Sequence, residues 1–493
     1  MTPRFVLGTS LLLGTVCLVP VSVLAQQHTL KTVAQKAVTA NPEVLQRWHA
    51  YQAAGNEREA AFGGYLPRVD LAAGIGREHR DDPLLKADYS RQSVSLTLTQ
   101  MLYDGFATRQ EVSRLDHARQ ARLFELFDAS ESTALEAARA YLDVLRYRKL
   151  VALAEENYVR HRAVFEQIQQ KAKAGVSRRV DLEQAAGRLA LAESNLLTET
   201  SNLHDVSARY QRLVGEQPVK DMAEPRGLDQ GLPADGGQVL KAAQSRHPGI
   251  QAAIENLRAA EAAIGNRRAA YQPRVDLRLR SEHGTDLNGY TGSTDNHTAE
   301  VVLNWNLFNG LSDRARIQQA ADQLSVARDL RDKACRDVRQ TTAIAYNDTR
   351  KLVEQLGYLD QHQLATEKAR DAYRKQFDIG QRTLLDLLDT ENELFQAKRA
   401  YGNAEYDLLI AQARTHAGQG RLLAALGLTG LAADTAPETA KWDAGTDAPE
   451  QCSPEAPTLY VADKAALNAR AAELLRESAP VPTSVPATPP AAR

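Results

Sequence analysis

The sequence predicts a mainly α-helical protein with a small β part, built on a duplicated plan. Three observations carry this. First, motifs recur in one order. Tyr65-Leu66-Pro67-Arg68-Val69-Asp70-Leu71 returns as Tyr271-Gln272-Pro273-Arg274-Val275-Asp276-Leu277, and Leu102-Tyr103-Asp104-Gly105 returns as Leu307-Phe308-Asn309-Gly310. Gly175 and Asp181 return as Gly380 and Asp386, and Asn41-Pro42-Glu43 is echoed by His247-Pro248-Gly249. Repeats at one offset mark a duplicated structural unit. Second, Ala107 to Ala174 holds neither proline nor glycine, enough for a helix of about 100 Å. Third, short segments between the helical stretches alternate apolar and polar residues, the period of a strand with one buried face.

In chain order, Arg4 precedes an apolar run from Phe5 to Leu24, and Val23-Leu24-Ala25 offers a small-residue cleavage site. Residues 1–25 therefore read as a secretory signal peptide. Val16 before Cys17 is too bulky for a lipidation site, so no lipid anchor is expected. Cleavage leaves Cys335, in a helical pattern, and Cys452, in a proline-rich tail. Two thiols so placed make no disulfide framework, and both are expected to be unpaired.

A helix is predicted over 29–62, then the long one over 107–174. Within it Val144, Val151, Tyr158, Phe165 and Ala172 form one heptad row, and Tyr147, Ala154, His161 and Ile168 a second, a coiled-coil seam. Gly175 breaks the helix, and another runs over about 179–213. A turn-rich connection with Pro218, Pro225 and Pro233 follows. The second copy repeats the plan with helices over about 238–270, 312–379 and 383–426. In the first copy the two shorter helices together match the long one, so two short helices can stack end to end along it. The repeats span about 29–214 and 236–426 within a 26–430 unit.

The strands fall within about 68–104 and 274–308. Val94, Leu96 and Leu98 alternate with Ser95 and Thr97; Val275, Leu277 and Leu279 alternate with Asp276 and Arg278. Val301, Leu303, Trp305 and Leu307 share one face, and Val69, Leu71 and Ala73 make a weaker fourth strand. Tyr65, Tyr103, Phe106, Tyr271 and Phe308 cluster at the ends. One-sided strands with aromatic ends suit a transmembrane β-barrel. Four strands cannot close one, because two edges stay unpaired in lipid. Three copies supply 12 strands. The expected fold is thus a coiled-coil helical barrel plus four transmembrane β-strands per chain, the 12-stranded barrel being completed in a homotrimer. Loops over about 79–91 and 283–297 are expected outside. The Pro/Ala-rich tail, 431–493, reads as loosely attached apart from a short helix over about 463–477.

Composition narrows the function classes. Charged residues are 25% of the chain and the net charge is −2, which leaves no basic footprint for nucleic acid. Eleven histidines are dispersed without paired ligand spacing, and no catalytic or nucleotide-binding motif is present. No enzyme activity, metal or cofactor is expected. Gly74-Ile75-Gly76 lies in a predicted strand and reads as structural; His161 reads as a packed seam residue. His79, His283 and His297 fall near the outer loops.

A leader, duplicated halves, four strands and very long helices together resemble the TolC family of outer-membrane channel proteins, over about residues 29–426. The more specific stretch is Phe377-Asp378-Ile379-Gly380-Gln381-Arg382-Thr383-Leu384-Leu385-Asp386-Leu387-Leu388-Asp389, similar to the family's periplasmic helix-turn-helix tip. Its first-half counterpart runs from Ala174 to Asp181. The resemblance implies a homotrimer in outer-membrane lipid, a periplasmic tunnel, and docking to a periplasmic adaptor (membrane fusion) protein. The adaptor links it to an inner-membrane ABC transporter or, alternatively, a proton-driven pump.

It also assigns candidate residues. Asp386 and Asp389, on one helix face, fall at the pore constriction, where threefold symmetry gives six carboxylates. Arg382 and Asp181 fall among the gate links, and Gly175 and Gly380 at the adaptor-docking tips. The unlipidated N-terminus and near-equal repeats favour the type I secretion branch over multidrug efflux. A rival of another class is a periplasm-spanning structural coiled coil that does not conduct.

Overall fold

The computed structural model describes residues 28–477 apart from 82, 84, 85, 288–290, 436–438, 440, 454 and 459. The predicted leader lies outside the described residues. Helix α1 (Leu30–Ala40) and α2 (Pro42–Phe62) lead into strands β1 (Arg68–Asp81) and β2 (Lys86–Tyr103). Helices α3 (Ala107–Lys173) and α4 (Arg179–Val214) complete the first repeat. The second runs α5 (Gly236–Arg246), α6 (Pro248–Arg268), β3 (Arg274–Thr285), β4 (Ser293–Asn304), α7 (Ser312–Asp378) and α8 (Leu384–Gly418). A short α9 (Leu422–Leu426) follows. Residues 455–493 form a separate unit whose helix α10 (Lys464–Glu477) matches the expected tail helix.

Two predicted helices are each broken in two. Asn41 and His247 take extended backbone before Pro42 and Pro248, because proline lacks an N–H and crowds the residue before it out of the helical region. Each then caps the new helix: Asn41 Oδ1 accepts from the Glu43 N–H at 2.9 Å and His247 Nδ1 from the Gly249 N–H at 3.1 Å. The helix predicted over 383–426 likewise ends at Gly418, with Gly420 in the left-handed region.

The two long helices have 67 residues each. As expected, the shorter helices stack along them, giving two tiers. The upper tier runs α2, α3, α6, α7, and the lower tier α4, α3, α8, α7. The second heptad row of α3 holds at Ala154, His161 and Ile168, which are buried, while Tyr147 is half-buried. The first row is not the seam's partner: Val144 is buried, but Val151, Tyr158, Phe165 and Ala172 are half-buried. Leu150, Asn157 and Val164 take that place. Flanked by both α4 and α8, α3 needs a wider buried stripe than a two-helix seam, and polar residues enter it.

The four strands form one antiparallel sheet in the order β1-β2-β3-β4. Thus β2 pairs β3, joining the two repeats, and β1 and β4 are open edges. The register sets Val69 opposite Leu98, Leu71 opposite Leu96, Leu98 opposite Leu279 and Leu277 opposite Val301. One face is apolar as predicted, and it lies bare: Leu71 is 71% and Ile75 81% exposed. The other face carries Ser95, Thr97, Arg278 and Glu300, the last two 3.3 Å apart. The strands run further than predicted, β1 to Asp81, β2 from Lys86, β3 to Thr285 and β4 from Ser293. Residues 79–81, 86–91, 283–285 and 293–297 are strand because cross-strand pairs replace the apolar contacts: His79–Asp88 at 3.0 Å and His283–Asp295 at 2.6 Å. Conversely β4 stops at Asn304, before Trp305 and Leu307.

Each strand enters its long helix through two consecutive left-handed residues, Gly105-Phe106 and Gly310-Leu311. Glycine is required at 105: a Cβ there would stand 2.5 Å from Gln272 Cβ and 2.9 Å from the Ala269 carbonyl oxygen.

Two tail expectations are overturned. Cys335 and Cys452 form a disulfide, across 117 residues. And the described residues between 431 and 453 are not loose. Ala432 is buried with Val44, Tyr51, Leu123 and Leu126. Trp442 stacks edge-on with Phe124, ring centroids 5.3 Å apart, and its indole N–H donates to the buried Glu255 carboxylate at 2.6 Å. Arg258 holds Asp447 at 2.8 Å. The segment is a strap over helices of both repeats, stapled at its far end to α7. Both thiols were sequestered by a partner distant in sequence, which no local spacing records.

Candidate functional site

The two hairpin turns at the end away from the sheet are built alike. After Lys173 the Val176 N–H donates to the Lys171 carbonyl at 2.9 Å; after Asp378 the Gln381 N–H donates to the Gln376 carbonyl at 2.8 Å. Such bonds close a helix around a left-handed residue, and Gly175 (φ 74°) and Gly380 (φ 76°) supply it. The outgoing helices are then capped by a carboxylate at the third helical position. Asp386 accepts from the Thr383 hydroxyl at 2.8 Å and the Thr383 N–H at 3.2 Å. Asp181 accepts from the Ser177 hydroxyl and the Arg178 N–H, both at 3.2 Å. The Thr383 hydroxyl, then its N–H, and more weakly Arg382 hold the Asp386 carboxyl below its ordinary range.

The four charged candidates are thus already engaged within the chain. Arg382 lies over the Tyr373 ring at 4.2 Å, donates to Gln376 at 2.9 Å, and stands 3.8 Å from Asp386. Within one chain no hydrogen bond or ion pair joins it to Asp181 among the described residues. Asp389 does not share the position of Asp386. It reaches across to α4 and pairs with Arg188.

Arg188 was missed by sequence reasoning. The available signal was its place seven residues, two helical turns, after Asp181, on the face that meets α8. Glu391 was missed as well. It is buried, and Arg370, Arg374 and Arg160 approach it at 3.6, 3.8 and 3.9 Å from α7 and α3. One carboxylate under three guanidinium groups ties three helices just above the turns. Between it and the turns lies an apolar plug of Val164, Ile168, Ala185, Leu384, Leu387 and Leu388.

His161 sits in the seam above, where burial and then the nearby Arg188 charge push its imidazole down to about 4; it is neutral at pH 7. The turns also present apolar groups to solvent: Val176 and Ile379 are 78% and 69% exposed. The arrangement is a stiff, cross-braced end with charged groups beside an apolar tip. Such an end suits docking and gating rather than bond-making chemistry.

Comparison with known proteins bears on the whole architecture. The family described as outer membrane efflux protein matches residues 33–216 and 239–417, one segment in each repeat. The outer membrane efflux protein BepC of Brucella suis is 28% identical over 74% of this chain and 79% of its own length. The outer membrane protein TolC of Escherichia coli is 23% identical over 81% and 84%. The alkaline protease secretion protein AprF of Pseudomonas aeruginosa is 26% identical over 74% and 80%. A membrane protein from Pseudomonas aeruginosa superimposes with a TM-score of 0.73 at 20% identity, over 79% of this chain and 93% of that one.

Proposed function

The chain belongs to the outer membrane efflux protein family, and from that premise we propose that it is the exit duct of a type I protein secretion system. It is an outer-membrane protein of a channel family. The finer reading is ours: three copies close a 12-stranded barrel in outer-membrane lipid, and their long helices continue it as a periplasmic tunnel. The observation that carries this is the four-stranded sheet, with one bare apolar face and two open edges. Neither an apolar face nor unpaired backbone edges can remain exposed to water and lipid respectively.

In this reading the apolar turns at Gly175 and Gly380 receive a periplasmic adaptor protein, which couples the duct to an inner-membrane ABC transporter. The duct is passive. Asp386 and Asp389 ring the narrow end, and Arg382 reaches Asp181 of a neighbouring copy as one of several gate links. A single exposed link contributes little, so the threefold set is what holds the end shut. Arg382→Ser is expected to raise single-channel conductance in planar bilayers; conductance equal to the parent's removes Arg382 from the gate.

Secretion is preferred because of the near-equal repeats and the likeness to AprF. The likeness to BepC supports a second reading, the outer component of a multidrug efflux pump with a proton-driven partner. Gene deletion followed by a secretome comparison and an antibiotic panel separates them: loss of secreted protein with unchanged drug tolerance supports the first, and the reverse supports the second. A non-conducting structural coiled coil is refuted by ion conductance of the purified protein.

A further inference from the structure

His79 and His297 stand exposed on the two open edge strands, β1 and β4, near the outer turns, and each has carboxylates beside it. We propose that they meet between neighbouring copies and bind a divalent transition-metal ion there. This rests on the ring closure proposed above, in which β4 of one copy pairs with β1 of the next.

The two hairpins of the sheet share one register. Arg68 stands opposite Thr99 in the first, and their equivalents in the repeated plan, Arg274 and Asn304, stand opposite each other in the second. The repeats are therefore equivalent strand for strand, and the β2–β3 pairing carries over to the seam between copies. Leu96 opposite Ser281 becomes Val301 opposite Ile75. Further outward along the same two strands, His297 falls opposite His79 and Asp295 opposite Asp81. Strand residues two apart share a face, so all four side chains stand on one side of the sheet. Directly opposed residues have Cβ atoms about 5 Å apart, and residues two apart on one strand are about 7 Å apart. The four bound a square of two imidazoles and two carboxylates over which one ion can sit. Arg77 falls opposite Ala299, outside the square on the side of the apolar band.

The surroundings within each chain suit a metal. Asp88 lies opposite His79, with Oδ1 3.0 Å from the imidazole Nδ1. A carboxylate on Nδ1 fixes the ring and leaves Nε2 to ligate, which is how metal-binding histidines are held. His283 in turn holds one oxygen of Asp295, 2.6 Å from its Nδ1. Across the seam Asp295 and Asp81 face each other as like charges, which weakens a strand pair. Lys86, 3.0 Å from Asp81, offsets part of that repulsion, and a dication between the carboxylates turns it into ligation. Mixed imidazole and carboxylate ligands suit ions of the zinc class, whereas calcium and magnesium take oxygen ligands. Among the described residues of one chain no three histidine, cysteine or acidic groups gather around a metal position. The site exists only where two copies meet, with ligands from opposite repeats, so no local spacing signals it.

Zinc titration by calorimetry of the tag-free, metal-stripped protein, purified from outer membranes in detergent, tests this, with native mass measured on the same sample. One zinc ion should bind per chain. Loss of an outer-shell partner costs about 10–100-fold in affinity, so His79→Ala and His297→Ala, which remove ligands at exposed positions, should each weaken binding at least about tenfold. His49→Ala, at an exposed position on α2, should bind as the parent does. With copper(II) as the probe, electron paramagnetic resonance should show two imidazole nitrogens on the ion in the parent and one in either variant. Absent zinc binding, or binding unchanged in both variants, in a particle of three chains overturns the metal site and leaves the ring standing. Loss of binding in His49→Ala overturns it as well, by placing the ion elsewhere. A particle of one chain overturns both the site and the ring.

Discussion

Replacing Cys335 and Cys452 by serine tests the strap most sharply, because the sequence alone gave no reason to pair them. The bond spans 117 residues. On the chain-entropy account, cross-linking a loop of that size removes about 5 kcal/mol of freedom from the unfolded chain at 25 °C. Away from the two sulfurs, which also touch Gln244 and the apolar cluster of Ile250 and Ile254, the folded strap keeps its contacts in the variant. Trp442 still meets Glu255 and Phe124, Arg258 still holds Asp447, and Arg336 still donates to Gln451 at 2.6 Å. With an unfolding entropy of roughly 0.9 kcal/mol/K for a protomer of this size, the loss corresponds to about 5 °C in Tm. Intrinsic fluorescence of the detergent-solubilised protein reads the transition, with and without reductant. The parent should fall by about 5 °C on reduction and the double-serine variant should not respond. A reduced parent within about 1 °C of the oxidised one, its bond shown broken by mass, would refute the reasoning. The same bond requires an oxidising compartment, in keeping with export from the cytoplasm.

Three further outcomes follow from buried groups and one glycine. Glu131 accepts from the Leu422 and Leu423 N–H groups at 2.8 and 3.3 Å, and its burial raises the carboxyl to about 7. The folded state therefore holds a proton that the unfolded state releases near pH 4.5, so this group's stabilisation fades as pH rises from about 4.5 to 7. Relative to the parent, Glu131→Gln should gain roughly 3 kcal/mol across that window in denaturant titrations; a pH-independent difference contradicts the assignment. Glu391→Ala should cost roughly 1–3 kcal/mol, because buried Arg370 loses one of its two carboxylates and keeps only the exposed Asp371 at 3.1 Å, and it should speed proteolysis at both turns. Cleavage at the parent rate would show that the tie does not brace the tip. Gly105→Ala should lower the yield of assembled protein in outer membranes by forcing Gln272 aside in a left-handed position, while Gly175→Ala, with no atom within 4 Å of its Cβ, should fold; equal yields would count against the steric argument.

The architecture was legible because its signals are local or periodic. Gly175 and Gly380 mark their turns by the one backbone conformation glycine favours. The apolar rows at Val94–Leu98 and Val301–Leu303 announce a one-faced sheet, and the repeated motifs announce that it is built twice. The breaks at Asn41-Pro42 and His247-Pro248 were also written locally, in a proline whose helix-ending effect was outweighed by the apolar pattern around it. What was not legible depends on neighbours far along the chain. Cys335 and Cys452 meet only because the strap lies across α6, and Trp442 is fixed by Glu255, a residue that sequence spacing treats as an ordinary helix-surface carboxylate. At the tip, the partners of Asp386 and Asp389 were not readable. Thr383 captures the first through helix capping, and Arg188 captures the second from a helix on the other hairpin.

The central claim is that one copy of the chain is an incomplete object, with a sheet whose two bare edges are completed by two more copies. Native mass measurement of the mature protein released from detergent micelles tests this most directly. The account predicts a particle of three chains that keeps that mass on dilution. A particle of one chain, stable without detergent, would contradict it.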